Sequence, residues 1–424
     1  MSDLAGQLEI SLDQGRGAVA IGSSRPVTAA RVFAGKSPAE VVRQLPMLYS
    51  LCGTAQAAAC VGACEQALGR QPSAAVLARR QALVDAETIK EHLWRLLLDW
   101  PKMLEIKTGS KANTNTNTRA SSFTAPVPAS VAASAMPRVM RAYMKLRQDQ
   151  RAAADPFTLD MHQAERGAAA AIDPSSLLHL VAEQALGTLS DHWLMTVDSP
   201  EALQRWLQEA ETPAAELVRT LLQQGLTGMG ASPIAWLPES PWRQLAQALA
   251  SAEADAFIAA PLWQQQCAET GPLARVAAQP LIAALLAEYG NGLLTRLVGL
   301  LVDLAQSASR LEARLRATME GAVEVSSGSM EAVASGISTG AGIGVGRVEA
   351  ARGLLLHRVS LADGRVQQYQ ILAPTEWNFH PQGVVAQGLA AIARGGTKGV
   401  ELERLARLYI TAVDPCVDYQ LSVS

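Results

Sequence analysis

The side chains most able to do chemistry are two cysteines far apart in the chain. Cys416 stands in Asp414-Pro415-Cys416, near the C-terminus, behind a proline that fixes φ and removes a backbone donor. Cys52 stands in Leu51-Cys52-Gly53-Thr54, where the apolar stretch Leu45-Pro46-Met47-Leu48-Tyr49 runs into a helix of small residues. A helix N-terminus favours thiolate, the form of sulfur that binds metals. The two read as halves of one site, so the intervening elements must bring the ends of the chain together.

Other reactive residues read as structural. Cys60 and Cys64 have helical spacing, and the C-x7-C-x3-C pattern they form with Cys52 matches no zinc motif, so they are packing residues. Cys267 is structural, and His380, a lone histidine after Trp377-Asn378-Phe379, is a satisfied polar group. Gly342-Ile343-Gly344-Val345-Gly346 precedes a strand instead of opening a helix after one, which excludes a phosphate loop. Glu40 and Glu65 show no paired-carboxylate spacing for acid–base work.

With 424 residues, 49% of them apolar, the chain can bury a large core, and its low aromatic and high Ala/Leu content favours helices. A formal net charge of −3 leaves no basic stripe, which argues against nucleic acid. Five cysteines, an odd number, and no export signal in Met1-Ser2-Asp3-Leu4-Ala5 argue for free thiols and a cytoplasmic protein. The most apolar stretch, 293–305, contains Arg296 and Asp303 and is too short to span a bilayer.

The elements that must position the thiols follow from periodicity. Leu8–Ile21 alternates about a Gly-containing turn and predicts a hairpin. Ser37, Pro38 and Glu40 start a helix, and 54–69 is a helix of small residues. A long helix within 75–104 ends before Pro101. Thr, Asn, Ser and Pro then mark 107–137 as a linker or mobile loop. Helices recur through 138–325, and 326–424 carries a Gly/Ser-rich lead-in, a hairpin about Asp363-Gly364, and a final helix over 399–411. The regions 1–106, 107–137, 138–325 and 326–424 are expected to form one intertwined unit.

Four segments resemble the large subunit of nickel-iron hydrogenases: Leu51-Cys52-Gly53-Thr54, Val348-Glu349-Ala350-Ala351-Arg352-Gly353, Pro374-Thr375-Glu376-Trp377-Asn378 and Asp414-Pro415-Cys416. The segment from Glu91-His92-Leu93 to Asp99-Trp100 is similar to that family's core helix, whereas 107–340 matches weakly. The resemblance implies an α+β fold, mostly α, in which a helical bundle carries a small β region near both termini. That family's two metal motifs supply four thiolates; here two of those positions are Ala55 and Tyr419, leaving Cys52 and Cys416. The chain also stops at Ser424 without the tail of the family's precursors.

This combination is similar to hydrogenase maturation proteins of the HupK/HoxV type. The resemblance implies a non-catalytic scaffold for assembling the iron part of the cofactor, with its cyanide and carbonyl ligands, held transiently by Cys52 and Cys416 without nickel. Arg352 and Thr375 match the donors that face the cyanides. The implied partners are other maturation proteins, including a small iron-delivering chaperone, and the hydrogenase large subunit. A metal-free mimic acting as a protein-binding module, and a divergent hydrogenase, are the alternatives.

Overall fold

The computed structural model describes residues 6–49, 52–104, 129–168, 170–238, 241–320 and 342–424. The elements used below are strands β1 (Gln7–Asp13) and β2 (Ala18–Ser23), and helices α1 (Pro38–Leu48), α2 (Gly53–Ala67) and α3 (Ala74–Trp94). Helices α4 (Ala129–Ala153) and α5 (Leu293–Glu320) follow. Strands β3 (Ile343–Ala350), β4 (Gly353–Ala362) and β5 (Arg365–Leu372), helix α6 (Gly399–Val413) and strand β6 (Asp418–Val423) complete the set.

The helical spine comes from apolar spacing of three and four residues. In α3 the buried set includes Ala82, Ala86, Ile89 and Leu93; in α5 it includes Leu297, Leu301, Leu304, Ala308, Leu311 and Leu315, all in one core. Each buried leucine contributes about 1.5–3 kcal/mol. A polar tie pins the two helices: His92 Nε2 and Arg275 Nη2 each lie 2.6 Å from Asp303 Oδ2, and Asp303 is fully buried. Among the described residues, no helix is long and apolar enough to cross a membrane.

Pro101 does not end the α3 line. The chain widens into a π turn at Arg95–Asp99, where the Trp100 N–H donates to the Arg95 carbonyl, and stays helical through Trp100–Leu104. The wide turn takes up the disruption that a proline imposes on the preceding turn. The assigned linker lies outside the described residues over 107–128; its last part, from Ala129, belongs to α4, which contains Pro137.

Both ends of the chain share one sheet of order β2-β1-β6. β1 pairs antiparallel with β2, as the hairpin reading requires, and parallel with β6, setting Leu8 opposite Tyr419 and Leu12 opposite Val423. A second sheet, β3-β4-β5, contains the expected hairpin about Asp363 and Gly364 and a strand the sequence reading left in the Gly/Ser-rich lead-in. Its glycines let the strand touch α2. A Cβ on Gly344 would lie 1.9 Å from the Ala63 carbonyl oxygen, and one on Gly346 would lie 1.8 Å from that of Ala59. Gly346→Ala must push strand from helix and is expected to cost about 2–3 kcal/mol, read from denaturant midpoints; an unchanged midpoint would contradict this contact.

On this second sheet, His357 of β4 is fully buried, with Nδ1 2.9 Å from the Tyr369 hydroxyl. Burial lowers its pKa from 6.5 to about 3. A histidine held neutral binds fewer protons folded than unfolded, so stability falls as pH drops below the unfolded value. Between pH 6.5 and about 5 the expected loss is about 2 kcal/mol. His357→Phe should flatten that part of the stability profile; a variant with the parent's acid slope would overturn the assignment.

Candidate metal-binding site

Cys52 is the N-cap residue of α2, and Cys416 follows the turn that ends α6. That turn is made by Asp414 in the left-handed conformation (φ 63°), which aspartate tolerates better than most residues. Its carboxylate forms ion pairs with two arginines, Arg352, whose Nε lies 3.0 Å from Oδ2, and Arg95. The sheet holding β6 beside β1 then fixes the segment just after Cys416.

The two thiols line one cavity of about 150 Å³, with Arg25, Tyr49, Arg352 and Pro374 among its other walls. Arg352, from the β3–β4 turn, is 3% exposed; its Nη2 donates to Glu91 at 2.9 Å. Burial works against its charge, but Asp414 and Glu91 hold its pKa well above the ordinary value. Its Nη1 is buried without a hydrogen-bond acceptor among the described residues. An unused guanidinium N–H is costly, about 1–3 kcal/mol, unless a ligand accepts it.

Arg25 supplies a second cation at the wall, 3.1 Å from Glu376 and stacked over the Tyr49 ring at 5.8 Å. The sequence reading missed it, and the surrounding Ser-Ser-Arg-Pro carries no signal that could have found it. Glu91 and Asp414 were visible inside quoted segments, but their role as the anchors of Arg352 appears only when the three elements meet.

The expected thiolate at the α2 N-terminus does not form. Glu87 of α3 already caps that end, its two oxygens accepting from the Thr54 and Ala55 N–H groups, both at 2.9 Å. Burial first, then Cys416 and Glu87, push the Cys52 pKa up to about 12. Cys416 is also raised by burial, while Arg352 and a hydrogen bond to Thr375 draw it back. Both thiols therefore stay protonated until a cation replaces the protons.

Thr375 is buried in the helical turn Pro374–Asn378, and its Oγ accepts from the Cys416 N–H at 3.2 Å. It orients Cys416 and is not on the cavity wall. Ala55 is fully buried within α2, and Tyr419 lies in β6 opposite Leu8 with Arg407 over its ring, so neither position offers a metal ligand. Cys60 and Cys64 are buried as packing residues in an apolar cluster that α2 forms with the second sheet, with Val348, Leu355 and Val359. His380 Nδ1 accepts from the Gln382 N–H at 3.0 Å and meets Cys267 Sγ at 3.2 Å. Among the described residues, no group of three or more His, Cys, Asp or Glu side chains is placed to hold a metal.

Residues 231–416 match the family described as nickel-dependent hydrogenase, so the family pattern begins well inside the region that resembled it weakly. The chain is 30% identical to the hydrogenase expression/formation protein HoxV of Cupriavidus necator, over 94% of this chain and 91% of that one. It is 28% identical to the hydrogenase expression/formation protein HupK of Azotobacter vinelandii, over 93% and 90%. Among solved structures, an NAD+-reducing [NiFe]-hydrogenase shares the fold with a TM-score of 0.55 at 16% identity, covering 95% of this chain and 93% of that one. The mostly helical α+β fold is thus that of the hydrogenase large subunit. With its retained Cys52 and Cys416 and its end-to-end likeness to these relatives, the chain belongs to the hydrogenase expression/formation proteins of the HoxV and HupK type.

Proposed function

We propose that this protein is a non-catalytic scaffold in hydrogenase maturation, holding an iron unit with cyanide and carbonyl ligands between Cys52 and Cys416 before it passes to the large subunit. The observation that carries this reading is the convergence, in one cavity, of two free thiols and buried Arg352, whose Nη1 has no hydrogen-bond partner among the described residues. Thiolate sulfur suits a soft iron–carbonyl centre. Cyanide bound through carbon leaves a nitrogen lone pair that a guanidinium N–H can satisfy.

Charge follows the same logic. Each thiol loses its proton on binding iron, and Arg25 and Arg352 stand at the wall to offset the resulting negative charge. Thr375, bonded to the Cys416 N–H, sets the direction of one sulfur.

The half-complete ligand set favours release over turnover. Two thiolates hold a metal less tightly than four, and Ala55 and Tyr419 cannot supply the rest. The remaining ligands come with the cargo, from a small iron-delivering chaperone, and the hydrogenase large subunit takes the unit by offering more thiolates. This work belongs in the cytoplasm, where reduced thiols persist.

The test is complementation. In cells that lack this protein, the wild-type chain should restore hydrogen uptake, and the Cys52→Ser/Cys416→Ser variant, made to equal abundance, should not. Full restoration by that variant would favour the metal-free mimic, acting as a protein-binding module, instead.

A further inference from the structure

A second cavity, of about 340 Å³, lies between α3, α5, β3 and the turn Pro272–Val276, and nothing in the scaffold role uses it. Its walls carry four arginines, Arg275, Arg310, Arg314 and Arg347, against two carboxylates, Asp85 and Glu349. Asp303 binds Arg275 from the core with both oxygens, at 3.0 and 2.6 Å.

The arginines are not equally occupied. Arg275 spends its donors on Asp303 and on the Ala350 and Ala351 carbonyls, so it is a structural strut. Arg310 and Arg314 share the single carboxylate of Asp85, which is 2% exposed. Beyond that, Arg310 donates only to Ser307, and Arg314 has no other acceptor among the described residues. A guanidinium carries five N–H groups. Two of them sharing one acceptor leave donor capacity on a cavity wall, in the fork geometry that fits phosphate and carboxylate oxygens.

We propose that this cavity is a second ligand site, for a small anion bearing phosphate or carboxylate groups, with Arg310 and Arg314 as the binding residues and Asp85 as the internal group that pairs them when the ligand is away. The cavity is large enough for a compact metabolite and lies within the usual range for small-molecule pockets. β3 and the turn after it run past both cavities: Val348 and Glu349 line the anion cavity, and Ala350 and Ala351 the thiol cavity.

Calorimetric titration of the full-length protein at low ionic strength tests this, with pyrophosphate and citrate as probes. Saturable one-to-one binding of at least one probe is expected, pyrophosphate alone pointing to a phosphorylated ligand and citrate alone to a carboxylate. Arg310→Gln and Arg314→Gln should each weaken it about tenfold or more, because a charge-assisted pair is lost. Asp85→Asn should tighten binding severalfold by freeing both guanidiniums, the opposite sign from a purely structural ion pair. Because Arg314→Gln alone leaves Asp85 less well paired, Asp85→Asn/Arg314→Gln serves as the folded control and must also lose affinity. No saturable binding of either probe at millimolar concentration, binding unchanged in the arginine variants, or binding only of a poly-glutamate peptide would overturn the proposal.

Discussion

Arg352→Met is expected to destabilise the protein by about 3–5 kcal/mol, the cost of breaking a buried ion pair by removing one partner. Arg352 is 3% exposed and is held between Glu91 and Asp414. Burial raises the Glu91 pKa and Arg352 lowers it, with Arg352 and Lys90 together holding it below the ordinary value; without Arg352 the carboxylate must take up a proton or draw in water. Asp414 would keep Arg95 but lose the contact that fixes its left-handed turn, and that turn aims Cys416 at the cavity. Arg352→Lys should recover only part of the loss, since one ammonium cannot span both carboxylates and also reach the cavity. Denaturant unfolding of the three proteins measures this. A loss under about 1 kcal/mol for Arg352→Met would mean that the cluster is solvated and that the residue is not the keystone of the site.

Cys416→Ser and Cys52→Ser should each reduce iron retention to background while changing stability little. Serine is close to cysteine in size, and its hydroxyl is a far poorer ligand for a soft iron–carbonyl centre. In the proposed scaffold role, loss of one of the two thiol ligands leaves a single bond to the cargo, so no partial phenotype is expected. Thr375→Val separates orientation from ligation: the Cys416 N–H loses its acceptor, yet both sulfurs remain, so iron should be held in reduced amount and not lost. Iron per protein after anaerobic purification reads all three. Serine variants that retain the wild-type amount would place the cargo elsewhere.

Much of this architecture was legible in the residues because local signals agreed with tertiary packing. The Leu8–Ile21 alternation, the Ser37–Pro38–Glu40 start and the Asp363-Gly364 turn each carry a complete local cause, and each is present. Pro101 misled because the remedy, a π turn at Arg95–Asp99, leaves no mark in the pattern. β3 was hidden by its glycines, which weaken a strand in isolation and are required here only because α2 lies against it.

At the site, the cysteines and Arg352 stood out as residue types, but their states did not. The helix N-terminus predicts a thiolate at Cys52 only if no other anion takes that position, and Glu87, distant in sequence, takes it. Arg25 joins through a salt bridge to Glu376 that spans most of the chain. Strand β6 was legible in principle: Tyr419, Leu421 and Val423 alternate with polar residues, and its partner β1 lies at the opposite end of the sequence.

The central claim is tested most directly by infrared spectroscopy with metal analysis, on wild-type protein purified without oxygen from cells that are making hydrogenase. The scaffold predicts cyanide and carbonyl stretching bands together with iron and without nickel, both absent from Cys52→Ser and Cys416→Ser. A wild-type spectrum empty in that window, from cells whose hydrogenase matures normally, would contradict cargo carriage at Cys52 and Cys416.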